Sequence, residues 1–393
     1  MTETQEVARV WPERVFLPKV SFKTVYIFGR LNKLFRRFID FEDSDFYTLS
    51  VIYVLLTYLY DIFDEVPYLQ VFGLKGSGKS RYGDLLEGLC FNPFNSSEIS
   101  DASLYRAIGQ EYDGLTMIID EADDLSGSTR RSILLRILKS GYRRNGNVTR
   151  CSLDGDIERF STFCPKIIIN ERGIGDSALE SRTIPIHMIK SSRPLEKFQF
   201  SKIRNEFKEV KDLICSFSED YRDLISDRYD FFTGVDGISG RDEEVWMPII
   251  IIADVLATLL DKPSTKEDMV TLAKKIIIQR RRTQLIGNRD AQILEATQAY
   301  VDQGQGLKME DLCFYVGEDL YRFIKERWNT PCLNLETVSR ALNRYRIIKE
   351  IRRPRLQKKI KSSETEVQRS CYLLDKERLS KLTNEYFTGG KDS

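Results

Sequence analysis

The feature that most restricts the fold of this chain is the segment from 68 to 80, which reads YLQVFGLKGSGKS. Its first five residues form an apolar run that predicts a buried strand. The motif Gly73-x4-Gly78-Lys79-Ser80 follows at once, and the residues after it have the apolar spacing of a helix. A strand, a glycine-rich loop and a helix in this order predict a phosphate-binding loop.

The physical chemistry of such a loop indicates its ligands. Glycines allow the backbone to turn several N–H groups toward phosphate oxygens, and the start of the helix adds partial positive charge. We expect Lys79 to bind the β- and γ-phosphates of ATP and the Ser80 hydroxyl to ligate Mg²⁺. The nucleotide contacts predicted in this segment are Gly73, Gly76, Ser77, Gly78, Lys79, Ser80 and Arg81.

A second apolar run, LTMIIDE at 115–121, ends in two carboxylates. Ligands bind at the carboxyl edge of an open parallel sheet, so these acids are expected beside the phosphate loop. Asp120 is predicted to share Mg²⁺ with Ser80, and Glu121 to orient and deprotonate an attacking water. The alternative is that the acids cap a helix predicted at 123–139.

Two more strands are predicted, KIIIN at 166–170 and TIPIHM at 183–188. The first ends in the polar side chain of Asn170, and Arg182 comes just before the second. His187 is the only histidine of the chain and lies within the second strand, so we expect it to be a core residue and not a catalyst.

The order of these parts resembles that of the AAA+ ATPases, particularly the MCM-like branch and the replication ATPases of plasmids, viruses and integrated elements. The resemblance covers most of residues 45–390. The matching stretches are PYLQVFGLKGSGKS (67–80), ISDASLYRAI (99–108), LTMIIDEADDL (115–125), GYRRNGNVTR (141–150), ALESRTIPIHM (178–188), DEEVWMPIIIIADVL (242–256) and LETVSRALNRYRI (335–347).

This resemblance implies a fold and further site residues. The fold is α/β, with a P-loop core of parallel sheet flanked by helices, a helical lid and a C-terminal winged-helix domain. Asn170 would position the attacking water. Arg182 would reach the γ-phosphate of a neighbouring subunit, with Arg172 as the alternative, and Arg241 would reach the nucleotide from the lid. The catalytic set is then Lys79, Asp120, Glu121, Asn170 and Arg182.

The predicted domains are an N-terminal arm and helical segment at 1–64, the ATPase core at 65–190, the lid at 191–303 and the winged helix at 304–393. Residues 46–63 are nearly free of charge and about long enough to cross a bilayer. Their tyrosines, threonines and Asp61 favour a buried helix instead. Seven scattered cysteines without a CxxC pair, and an N-terminus unlike a signal peptide, lead us to expect a cytoplasmic protein.

A hairpin is predicted from strand-like residues at 148–153 and 157–162, with Asp154-Gly155 between them. In MCM-like motors a hairpin at this point projects into the ring channel and grips DNA. The DNA contacts predicted here are Arg143, Arg144, Arg150 and Arg159. The alternative is a hairpin on the rim whose arginines pair with acids of the next subunit.

The C-terminal region predicts helices at 309–328 and 335–345, a strand at 347–352, a charged polar loop, a strand at 370–374 and a helix at 376–386. This order is typical of a winged helix. Residues 340–361 hold ten Lys or Arg and one acid, in a chain of net charge +1. The predicted DNA contacts are Arg340, Arg344, Arg352, Arg353, Lys358 and Lys359. The alternative is a winged helix that binds protein.

The leading hypothesis from these features is an ATP-driven helicase or translocase of a replication system, such as that of a mobile element. It would form a homo-oligomeric, hexameric ring on single-stranded or forked DNA. Only residues 1–72 precede Gly73, so any priming would come from a primase or polymerase partner. The alternatives are an initiator or helicase loader that uses ATP as an assembly switch, and a transposition regulator or protein remodeller.

Overall fold

The chain divides into two compact units, one up to Ala273 and one from Lys274 onward. The computed structural model describes residues 21–95, 114–120, 129–151, 157–171, 173–287, 289–304, 306–309, 312–329, 333–360 and 363–387. The predicted boundary between lid and C-terminal domain, at 303/304, differs from this division. Residues 289–302 form a helix whose Ile293 and Tyr300 are buried in the core of the second unit.

The first unit combines helices with a parallel sheet. Its helices are α1 (Phe22–Phe38), α2 (Asp45–Thr57), α3 (Lys79–Leu89), α4 (Thr129–Ser140), α5 (Ser177–Glu180), α6 (Phe200–Asp230) and α7 (Arg241–Leu259), and α8 (Ser264–Gly287) crosses the boundary. Its strands are β1 (Tyr68–Phe72), β2 (Pro93–Asn95), β3 (Thr116–Ile119), β4 (Asn147–Cys151), β5 (Ile157–Ser161), β6 (Lys166–Asn170) and β7 (Thr183–His187).

Among the described residues, the central sheet has the strand order β2-β3-β6-β1-β7, and each neighbouring pair is parallel. The register places Phe72 of β1 opposite Asn170 of β6 on one side and His187 of β7 on the other. The residues of β3 and β6 are all buried, as parallel strands covered on both faces require. The predicted α/β class with a helix-flanked parallel sheet is confirmed.

Helix α2 fills the interior beside this sheet, where most of its side chains are buried. The fully buried Tyr53 hydroxyl lies 2.9 Å from the Lys166 carbonyl oxygen and 3.3 Å from that of Pro67. Those carbonyls lie at the amino ends of β6 and β1, so α2 joins the two strands at that edge. Within the described part of the chain, no helix is both long and apolar enough to span a membrane.

The second unit contains α9 (Arg289–Asp302), α10 (Gly317–Trp328), α11 (Leu335–Arg344) and α12 (Lys376–Phe387). Its strands are β8 (Leu307–Met309), β9 (Leu312–Val316), β10 (Ile348–Arg352), β11 (Arg355–Ile360), β12 (Ser363–Gln368) and β13 (Cys371–Leu374). In the described residues, β10-β13-β9-β8 form an antiparallel sheet, and β11 pairs with β12 in a separate hairpin.

Two predictions for this unit are wrong. Residues 312–316 do not begin a helix, because the run LCFYV pairs with β13, where aromatic and β-branched side chains pack well. The segment between β10 and β13 is a hairpin instead of an irregular loop. At its end Arg369 forms ion pairs of 3.1 Å with Glu318 and 2.7 Å with Asp319, which attach the hairpin to α10.

We expect Tyr53→Phe to lower the free energy of unfolding of the first unit by about 1–2 kcal/mol, since it leaves buried carbonyl oxygens without their hydrogen bond. Chemical denaturation followed by circular dichroism measures the change. Tyr26→Phe is the matched control, because Tyr26 is 53% exposed on α1. Equal stability of the two variants would contradict this role of the Tyr53 hydroxyl.

Candidate nucleotide-binding site

The loop between β1 and α3 has a backbone that depends on glycine. At Gly73, with φ +153°, a Cβ atom would lie 2.1 Å from the Met188 carbonyl oxygen just after β7. Gly76 and Gly78 have φ of +84° and +94°, in the left-handed region that favours glycine. The glycines of the motif therefore permit both a close approach to β7 and the curl of the loop.

Lys79 is the first residue of α3, and its ammonium group folds back over the loop. Its Nζ donates to the Gly73 carbonyl oxygen at 2.5 Å and to that of Leu74 at 3.1 Å. The cap residue Gly78 offers no side-chain hydrogen bond to the start of α3. The N–H groups of that first turn can therefore bind an anion.

Two serines and an arginine complete this end of α3. Ser77 is buried, and its Oγ has no hydrogen-bond partner among the described residues. Ser80 is exposed and Arg81 half-buried on the first turn. A curled glycine backbone, a lysine at the helix start and nearby hydroxyl groups fit the phosphates of a nucleotide.

Asp120 and Asn170 lie at the carboxyl ends of β3 and β6, the two strands that follow β1 on one side of the sheet. Asp120 comes directly after β3 and is half-buried, and β6 lies between β3 and β1. Asn170 is 2% exposed, and its Oδ1 accepts a hydrogen bond from the Gly173 amide at 3.2 Å. Its Nδ2 has no partner within the part of the chain that the structure describes. A buried amide donor without a partner is costly, so it suits an acceptor on a bound ligand.

The oxygen atoms of Ser80 and Asp120 are of the kind that Mg²⁺ prefers, so both residues fit the predicted metal. Glu121 lies outside the described residues, as does Arg172. The structure thus brings the phosphate loop, Asp120 and Asn170 to the same carboxyl edge of one sheet, as the sequence predicted.

Arg182 lies at the opposite edge of this sheet. Its backbone carbonyl oxygen accepts a hydrogen bond from the Tyr68 amide at 3.0 Å, and Tyr68 is at the amino end of β1. The phosphate loop follows the carboxyl end of that strand. Four residue steps along β1 amount to about 13 Å. The Arg182 guanidinium donates to the Ala178 carbonyl oxygen and lies 5.9 Å from the Tyr142 ring. It therefore cannot serve the nucleotide of its own chain.

Arg241, which the sequence predicts to reach the nucleotide from the lid, also lies at the amino edge. Its guanidinium is 5.2 Å from the Tyr142 ring centroid and 3.3 Å from the Glu244 carboxylate. The Tyr142 carbonyl oxygen accepts the Val66 amide at 3.0 Å, two residues before β1 begins. Arg241 is therefore far from the phosphate loop of its own chain and is a neighbour of Arg182.

The carboxylates at this edge affect each other. Arg143 forms ion pairs of 3.5 Å with Glu65 and 3.2 Å with Glu244. Burial, together with the nearby Glu244 carboxylate, raises the pKa of Glu65. Sequence reasoning did not identify Tyr142 or these two acids as parts of one cluster, because they come from separate segments.

The arginines predicted to bind DNA from the β4–β5 hairpin separate into two groups. Arg143 and Arg144 lie at its base and pair within their own unit, Arg144 with Asp64 at 3.0 Å. This intrachain pairing differs from both readings of the sequence. Arg159 is exposed on β5, and within the described residues no hydrogen bond or ion pair engages its side chain. The Arg150 side chain lies outside the described residues.

Three of the six basic side chains predicted to bind DNA from the second unit also have acidic neighbours. Arg340 is 3.4 Å from Glu336, and Arg344 is 2.5 Å from Asp290. Arg352 is 2.7 Å from Glu350. Arg353 is exposed after β10, and the side chains of Lys358 and Lys359 on β11 lie outside the described residues.

Two residues of the first unit differ from the sequence-based expectation. His187 is exposed at the carboxyl end of β7, with its ring 5.1 Å from that of Phe72, and is not part of the core. Lys166 is fully buried at the start of β6 and was not identified as functional. A lysine that opens an otherwise apolar strand was the signal that could have marked it.

No family model matches this chain, and no curated protein matches it. Among solved structures, SCCmec type IV Cch, an active helicase, shares 13% identity over 92% of this chain and 72% of that chain, with a TM-score of 0.39. The NrS-1 C-terminal region shares 12% over 95% and 79%, with a TM-score of 0.41. The Aeropyrum pernix Orc1 protein in complex with DNA shares 11% over 95% of both chains, with a TM-score of 0.24. Likenesses this weak support no statement about function.

We expect Gly73→Ala to weaken ATP binding at least about tenfold, which corresponds to about 1.4 kcal/mol, because the new methyl group would push the loop away from β7. Fluorescence anisotropy with a labelled ATP analogue measures the affinity. Gly29→Ala on α1 is the control, since no atom lies within 4 Å of its added Cβ. Unchanged affinity in Gly73→Ala would contradict the assignment of the loop as a phosphate site.

Proposed function

We propose that this chain is an AAA+ ATPase of a DNA replication system that acts as a ring-forming helicase or translocase. The observation that carries the proposal is the placement of Asn170. Its buried amide donor, which has no partner among the described residues, lies on the strand between the phosphate-loop strand and the Asp120 strand, at their common edge. That arrangement suits the hydrolysis of a phosphoanhydride. A glycine-rich turn that binds no ligand would not need this amide donor.

In this proposal each side chain has one role. Lys79 and the N–H groups at the start of α3 bind the β- and γ-phosphates of ATP. Ser80 and Asp120 hold Mg²⁺, which supplies positive charge beside those phosphates when bound. Asn170 orients the attacking water with its amide donor, and Glu121 accepts the proton of that water.

The opposite edge of the sheet supports a role for Arg182 in a neighbouring chain. Its distance from its own phosphate loop excludes a contact in cis, and Arg241 lies beside the same Tyr142 ring. Both arginines therefore belong to the surface that would complete the nucleotide site of the next subunit. Head-to-tail contacts of this kind form a ring when the rotation between successive subunits closes, which the proposal requires.

Two exposed elements support DNA as the partner. The β4–β5 hairpin presents Arg159, and the second unit has the order helix, two strands, two helices, strand, hairpin, strand and helix, which resembles a winged helix. Helix α11 buries Val338, Ala341 and Leu342 and leaves Arg340 exposed. Such a helix fits a major groove, and a basic hairpin fits the phosphate backbone beside it.

The first test is ATP turnover with and without single-stranded and forked DNA. We expect DNA to stimulate turnover and strands to separate. Lys79→Ala and Glu121→Gln should each reduce turnover by about 100-fold or more, since a phosphate ligand or the general base is lost. Slow turnover that DNA does not change, in protein shown to assemble, would contradict a motor and favour an ATP-dependent switch.

A second test concerns the site shared between subunits. Arg182→Ala and Lys79→Ala proteins should each be nearly inactive alone. Their equimolar mixture should regain about a quarter of wild-type turnover, because random assembly joins an intact loop to an intact arginine at that fraction of head-to-tail interfaces. The double variant Lys79→Ala/Arg182→Ala, mixed with inactive Lys79→Ala, is the control and should restore nothing. Absence of recovery in the first mixture would contradict catalysis in trans.

A further inference from the structure

The buried ammonium group of Lys166 connects β6, the strand that carries Asn170, with the base of the β4–β5 hairpin. Lys166 opens β6, the strand that ends in Asn170, and it is 0% exposed. Its Nζ donates to the carbonyl oxygens of Thr162 at 2.6 Å, Cys164 at 3.1 Å and Gly141 at 3.2 Å. The same atom lies 4.9 Å from the centroid of the Tyr68 ring.

These partners match the charged form of the side chain. An ammonium group has three N–H donors, and three carbonyl oxygens accept them here. No carboxylate is among the hydrogen-bond partners of Lys166 in the described residues. Burial lowers the pKa of Lys166, while its contact with Cys164 opposes that effect. A buried charge without a counter-charge is expensive, so a purely structural role would be met more cheaply by an apolar residue.

The three carbonyls belong to the two chain segments that border the hairpin. Gly141 precedes β4, and Thr162 directly follows β5. Thr162 also donates its amide to the Gly146 carbonyl oxygen at 2.9 Å, so the two borders are joined to each other. The ammonium group therefore attaches both ends of the hairpin to the first residue of β6.

The neighbouring residues are shaped around this contact. A Cβ atom on Gly141 would lie 2.1 Å from the Thr162 carbonyl oxygen and 2.4 Å from Lys166 Nζ. Only glycine leaves room for the ammonium group at this point. The Tyr53 hydroxyl, which lies 2.9 Å from the Lys166 carbonyl oxygen, fixes the backbone of the same residue.

We propose that Lys166 is a positioning residue that couples the nucleotide site to the hairpin. One strand of five residues carries Lys166 at its amino end and Asn170 at its carboxyl end. A displacement of Asn170 on ATP binding or hydrolysis is thereby passed along β6 to the base of the hairpin and to Arg159. This inference rests on the proposed function, since it assumes that the hairpin contacts DNA.

The test uses the full chain with the substitution Lys166→Met. ATP turnover without DNA, and the KM for ATP, should stay within about twofold of wild type, while the stimulation by single-stranded DNA should fall about fivefold or more. Ser140→Ala is the matched control. It removes the 2.8 Å hydrogen bond between the Ser140 and Thr162 hydroxyls at the same base and leaves the ammonium group in place. It should keep the stimulation of the wild type.

Hydrogen exchange gives a readout that does not depend on DNA. In Lys166→Met the amides of 141–146 and 157–162 should exchange faster, while those of β1 stay protected. Unchanged exchange at the hairpin, or equal loss of turnover with and without DNA, would overturn the proposal. If Lys166→Met does not fold, Gly141→Ala is measured in its place. This substitution keeps the Lys166 ammonium group and displaces the carbonyl oxygens that bind it.

Arg159→Ala separates the two levels of the inference. If this variant keeps full stimulation by DNA, the hairpin contact in the proposed function is wrong, while the exchange result still decides whether Lys166 fixes the hairpin. If Arg159→Ala loses stimulation and Lys166→Met does not, the coupling role of Lys166 is wrong and the proposed function stands.

Discussion

The parallel pairing of β1 with β6 on one side and β7 on the other is the constraint on which the first unit depends. This register puts Phe72, Asn170 and His187 in one row at the carboxyl edge. Because all three strands run in the same direction, the side chains at their carboxyl ends lie at one edge of the sheet and those at their amino ends lie at the other. The carboxyl edge holds amide donors and an acid, and the amino edge holds arginines, carboxylates and a buried ammonium group.

The β4–β5 hairpin and the β11–β12 hairpin are each held at the base by a side-chain cation, but the partners differ. Lys166 binds neutral carbonyl oxygens, and Arg369 binds the carboxylates of Glu318 and Asp319. Carbonyl partners leave the net charge in the interior, whereas carboxylates neutralise it. The hairpin of the first unit is therefore attached by the more costly interaction, and the attachment lies at the end of a strand that borders the nucleotide site.

Much of the fold could be predicted from the sequence, since long apolar runs bounded by glycines or acids specify buried strands. The bounds of β1 and β6 agree with the prediction to the residue, and the loop after β1, Asp120 and Asn170 lie at one edge of the sheet. Local patterns were less informative where pairing partners decide the structure. Residues 312–316 form a strand because they pair with β13, although the residues directly after them form a helix.

The positions of single side chains were the least predictable. Arg241 begins α7, yet its position relative to the phosphate loop depends on how α7 packs, and sequence spacing does not contain that information. His187 was expected inside because it is surrounded by apolar residues, but it occupies the last position of β7, where the strand leaves the core. Arg144 and Arg143 have partners in the segment before β1, about 80 residues away in sequence, and Arg143 has another in Glu244 of α7.

The contacts of Lys79 attach its ammonium group to the backbone of the loop before α3. Its ammonium group binds the carbonyl oxygens of Gly73 and Leu74. A phosphate that binds Lys79 must therefore replace these two hydrogen bonds. Binding is then an exchange reaction, and its free energy is the difference between two sets of hydrogen bonds. A monovalent anion that cannot also engage the N–H groups of α3 gains little from that exchange. We infer that selectivity against small anions is a property of the loop itself.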